Sequence, residues 1–77
     1  MNTAVVAVEL TREQALVLFD WLARFNKDAA RSLFHDEAEQ RVLFDLEATL
    51  ESLLSEPLAA NYSELLRHAR ECIRDRE

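Results

Sequence analysis

A mostly α-helical fold is predicted: a short N-terminal strand followed by a three-helix antiparallel bundle, forming one domain over residues 1–77 and acting as a dimer. Three observations lead there. The chain holds no glycine and one proline, so the ordinary vocabulary of tight hairpins is missing. Helix-start signatures at Thr11, Asp36 and Asn61 each precede a run of apolar residues at helical spacing. The one β-branched cluster without that spacing, AVVAVEL, sits near the N-terminus.

Residues 4–10 are apolar and β-branched, too short for a helix of their own, and end at a helix start; they read as a strand, the alternative being that residues 1–8 are a loose tail or an extra helical turn. Thr11 and Gln14 have the spacing of a capping box, which opens a first helix over about residues 12–26. Its apolar positions are Ala15, Leu16, Leu18, Phe19, Leu22, Ala23 and Phe25, and Asn26 is expected to close it in the left-handed conformation. The segment KDAARSLFH reads as a loop with one helical turn. Asp36 and Glu39 repeat the capping pattern ahead of a second helix, about 37–55, whose apolar positions keep the 3.6-residue period from Ala38 through Leu54. Pro57 drives Glu56 out of helical geometry, so this helix is expected to stop near Ser55. Asn61 and Glu64 form the third cap, and a third helix, about 62–75, turns Tyr62, Leu65, Leu66, Ala69 and Ile73 inward.

A chain of 77 residues buries only about 60% of the surface its unfolded state exposes, so its stability is marginal. The usual staples are absent: Cys72 is the sole cysteine, and no Cys/His set has structural-zinc spacing. Oligomerisation is the remaining common remedy. A hydrophobic share of 49% excludes intrinsic disorder, and charged residues at 31% interrupt every apolar run long before a membrane span. The opening MNTAVVAVEL lacks the basic n-region of a secretory signal, which fits a cytoplasmic, bacterial-type protein.

Two features predict association. The strand has no mate within the chain, and the same strand of a second copy would supply one in a two-fold homodimer. The first helix carries apolar residues around more than half its circumference. Either it is the central helix of the monomer, or Val17, Trp21 and Phe25 meet the strand or another subunit. The candidate self-association surface is therefore Val5, Val6, Val8, Val17, Trp21 and Phe25.

Charge marks a second surface. Residues 36–56 hold one basic and seven acidic groups, whereas the flanking segments each hold four of either sign, so the net −6 resides on the second helix and its flanks. Such a face attracts a basic partner and repels nucleic acid. Phe44 lies on it beside Glu37, Glu47 and Glu51, which makes these four the candidate partner face, with an ordinary solvated acidic surface as the plainer reading. Arg67, Arg70 and Arg74 form a basic stripe on the third helix, too little in an acidic chain to point to nucleic-acid binding.

Catalytic chemistry finds little support. Without glycine the phosphate-cradling loops of nucleotide enzymes cannot form. His68 and Cys72 have metal-compatible spacing, yet two ligands do not make a site, and Cys72 reads as a small core residue. The helix-borne carboxylates sit on a convex surface rather than in a cleft that shifts a pKa. No catalytic residue, cofactor or metal is expected. The expected function is that of a non-enzymatic, homo-oligomeric protein-interaction module. The alternative is a small acidic protein of the immunity or antitoxin type that masks a basic partner protein.

Overall fold

The computed structural model describes residues 4–76. Three α-helices account for most of them: α1 (Arg12–Asp28), α2 (Glu37–Leu53) and α3 (Tyr62–Arg74). Short 3₁₀ turns at Arg31–Leu33 and Glu56–Leu58 connect them. No helix among the described residues is long and apolar enough to cross a membrane.

The first helix starts where its capping box places it. The Gln14 N–H donates to Thr11 Oγ1 at 3.0 Å and the Thr11 N–H donates to Gln14 Oε1 at 2.9 Å, so two otherwise orphaned donors are satisfied. At α2 the pattern shifts by one residue. Asp36 Oδ1 accepts from the Ala38 N–H, whereas Glu39 Oε1 accepts from the His35 N–H and not from that of Asp36. Asn61 departs further, because its side chain makes no capping bond; α3 begins through the backbone, with the Asn61 carbonyl accepting from Glu64 and Leu65.

Two helix ends also differ from expectation. Asn26 does not close α1, which runs on to Asp28 with no residue of positive φ. Its side-chain Nδ2 instead donates across to the Leu43 carbonyl at 3.2 Å and to Glu47 Oε1 at 2.7 Å, tying α1 to α2. The second helix stops at Leu53, two residues early, because Leu54 turns extended and so buries its side chain in the core. Pro57 then sits inside the following 3₁₀ turn, where its missing N–H costs nothing.

Both α2 and α3 pack chiefly on α1. α1 is thus the central of the three helices. Leu16, Phe19 and Leu22 of α1 meet Leu50 and Leu54 from the α2 end and Ala69 from α3, and these six form the buried core. Asp20 pins the third helix: its carboxylate accepts from Arg70 at 2.9 Å, from the Tyr62 hydroxyl at 3.2 Å and from Arg24 at 3.0 Å. A bidentate pair from Arg12 to Glu56, at 2.8 and 3.0 Å, ties the start of α1 to the turn before α3. That hydrogen bond holds the Glu56 carboxyl below its ordinary range and the guanidinium above its own.

The predicted strand is not formed. No strand occurs among the described residues, and residues 4–10 carry no regular structure and no backbone hydrogen bond. The physical reason is that a strand exists only with a ladder partner, and the described residues of the chain offer none. These residues form an exposed arm. The Cα radius of gyration is 14.3 Å, against about 11–12 Å for a compact chain of this length.

Candidate functional site

The apolar arc of α2 is wider than α1 can cover. Leu43, Leu46, Leu50 and Leu54 turn toward α1, whereas Val42 and Leu53, on the adjoining flank, stay exposed, Leu53 at 67%. The matching flank of α1 carries Leu18, Trp21 and Phe25, three and four residues apart and so on one side. The α1–α2 pair therefore presents an apolar flank away from α3.

Two depressions mark it. One is an open groove of about 780 Å³ between α1 and the C-terminal half of α2, with Leu18, Leu46, Leu50 and Leu53 on its helical walls and Val8 and Leu10 of the arm on its rim. The other, about 470 Å³, lies at the opposite end among Phe25, Leu33, Phe34 and Val42. Trp21 stacks on Phe25 at a centroid distance of 4.7 Å, and Phe34 meets Phe25 edge-on at 5.9 Å. These are the geometries preferred by aromatic quadrupoles, so the rings stiffen that end of the flank.

The sequence-predicted self-association residues divide three ways. Val5 and Val6 are each 88% exposed and, with Val8, belong to the arm. Trp21 and Phe25 lie on the flank. Val17 is half-buried and packs against the core. Leu53, Val42 and Leu33 were missed; the signal for the first two was an apolar arc on α2 wider than a single neighbouring helix covers.

The predicted partner face is also split. Phe44 is 44% exposed and borders a shallow depression with Glu37, and Arg31 and Arg41 line the same depression, which tempers its acidity. Glu51 is exposed, but Glu47 is half-buried and holds the Asn26 amide.

On α3 every arginine of the stripe has a carboxylate: Arg67 pairs with Glu71, Arg70 with Asp20 and Arg74 with Asp75. Cys72 is exposed rather than a core residue, because it falls on the solvent side of a helix that buries only Ala69 fully. Its Sγ lies 3.4 Å from His68 Nε2. Among the described residues no three His, Cys, Asp or Glu side chains gather as a metal-binding group.

Comparison of the chain with protein-family models, with curated proteins and with solved structures finds no match. The functional reading therefore rests on the geometry of this chain alone.

Proposed function

We infer that this protein is a non-enzymatic self-association module, a cytoplasmic homodimer built through the N-terminal arm and the α1–α2 flank. The observation that carries the reading is an excess of surface. The chain exposes 6298 Å², whereas a compact monomer of 8.9 kDa exposes about 4,800 Å². The surplus of roughly 1,500 Å² exceeds the ~800 Å² each partner contributes to a standard interface. Among the exposed residues are the large apolar side chains of Val5, Val6, Val8, Trp21, Leu33, Val42 and Leu53. Exposed apolar residues grouped along one flank are a mark of an interaction surface. Strand formation by the arm belongs to the associated state, where a second arm completes the ladder.

Sedimentation equilibrium at micromolar concentration tests the reading. Twice the chain mass is expected, and a single compact chain at every concentration would overturn it.

A second reading draws on the exposure of Phe44 within the acidic surface of α2. There the module masks a basic protein through Phe44, Glu37 and Glu51. Charge reversal by Glu37→Lys with Glu51→Lys then abolishes a salt-sensitive complex with that protein and leaves the homodimer intact. A complex unaffected by both changes and by salt would dismiss it.

A further inference from the structure

We propose that the groove between α1 and the C-terminal half of α2 seats the N-terminal arm of a second copy of this chain, laid antiparallel beside the resident arm. This deepens the self-association reading and rests on it.

The groove needs an occupant of a particular shape. Its volume of about 780 Å³ lies within the range, roughly 300–1,000 Å³, of sites that enclose most of a bound group. Leu46 to Leu53 spans about 10 Å of helix, the length of about three extended residues. The occupant is thus a short extended apolar segment. In strand form the arm places Ala4, Val6, Val8 and Leu10 on one side, four apolar residues at alternate positions. Val8 and Leu10 of the resident arm already stand on the groove's rim, whereas Val5 and Val6 are almost fully exposed.

The arm's backbone supplies the second argument. Residues 4–10 make no backbone hydrogen bond among the described residues, so a neighbouring strand satisfies groups that only water serves in the monomer. A second arm running antiparallel meets that need. It inserts Val6 and Val8 between the resident arm and the leucines of α2, and the same contact repeats on the other copy. A self-complementary contact of this kind uses the same surface on both copies and so closes at two chains. The surplus exposed surface, about twice what one partner contributes to a standard interface, allows for both arms and both grooves.

Directed cross-linking tests the seat. Two full-length chains are prepared with Cys72→Ser, one isotope-labelled and carrying Val6→Cys, the other unlabelled and carrying Leu53→Cys. They are mixed, allowed to exchange and oxidised. The expected main product is a disulfide dimer of mixed mass joining the arm of one chain to the groove of the other. If the chain sediments as a dimer but Val6 links only to Val6, or only Leu53 to Leu53, the seat is wrong and self-association stands. If the chain sediments as a monomer, the broader reading has failed first. Leu53→Asp provides a readout without cross-links. Because Leu53 is mostly exposed in the single chain, helical circular dichroism is expected to remain while the dimer weakens at least tenfold; unchanged dimer affinity would overturn the proposal.

Discussion

Asp20 is the residue on which the attachment of α3 turns. Its carboxylate receives hydrogen bonds from a guanidinium and a phenol on α3 and from Arg24 one turn along its own helix. Hydrogen bonds to a charged group contribute about 1.5–3 kcal/mol when buried, but both arginines are substantially solvated. Asp20→Asn is therefore expected to cost the lower amount, about 1–2 kcal/mol, measured as a shift in urea midpoint at fixed protein concentration. The same cluster governs the alkaline limit. Burial, with the Asp20 charge and hydrogen bond, pushes the Tyr62 hydroxyl up from 10.0 to about 12, against the opposing pull of Arg70 and Arg24. Below the ordinary tyrosine range both the folded and the unfolded chain hold the proton, and the stabilisation is fully present. As the pH rises past about 10 the unfolded chain ionises first, so stability declines until the folded hydroxyl also ionises near 12. Tyr62 is the sole tyrosine, so tyrosinate absorbance reports its titration without overlap. An ordinary midpoint in the folded protein would contradict the Asp20 contact, and Tyr62→Phe is expected to remove this part of the alkaline decline.

Among the elements, α1 shows how a local signal fixes a boundary. Its capping box satisfies two backbone donors with two side chains, and Thr11→Ala is expected to destabilise the fold by about 1 kcal/mol in urea unfolding. The fold was legible in the sequence wherever a boundary depended on neighbours in the chain. Thr11 and Gln14 placed the start of α1, Asp36 the start of α2, and the KDAARSLFH segment yielded its single helical turn, at Arg31–Leu33. It was not legible where a distant partner decides. Asn26 continues a helix instead of ending it because Leu43 and Glu47 of α2 accept from its amide. Leu54 leaves its helix early because a core site awaits it, and Cys72 stays outside because α3 packs on a single helix. The candidate surface follows the same division. Periodicity identified Trp21 and Phe25 as surplus to the core, but Leu53 and Val42 looked like core until the arrangement of α1 and α2 left their flank uncovered.

For the whole molecule, the proposed dimer has a consequence that can be measured. Because α2 and α3 each lean chiefly on α1, only six of the described residues are buried in the core, which is little for a domain with no disulfide. Every apolar arm and flank residue covered on dimerisation adds stabilisation that the monomer lacks, about 25 cal/mol per Å². In the proposed dimer folding and assembly are linked, and the unfolding midpoint is expected to depend on concentration. A tenfold rise in protein concentration adds about 1.4 kcal/mol to a dimer that unfolds to two chains. Two such chains together match a domain of about 150 residues, for which 1 kcal/mol moves the midpoint by roughly 2–4 °C. Calorimetric or circular dichroism melts taken a decade apart in concentration are therefore expected to differ by about 3–6 °C. Leu22→Ala, at a fully buried core position, should lower both midpoints by weakening each chain, at a cost of about 2–5 kcal/mol, while preserving the interval between them. Leu53→Asp acts on the assembly and should collapse the interval. Identical midpoints at both concentrations in the unaltered chain would mean that the six-residue core suffices alone and that the apolar flank serves something other than a second copy.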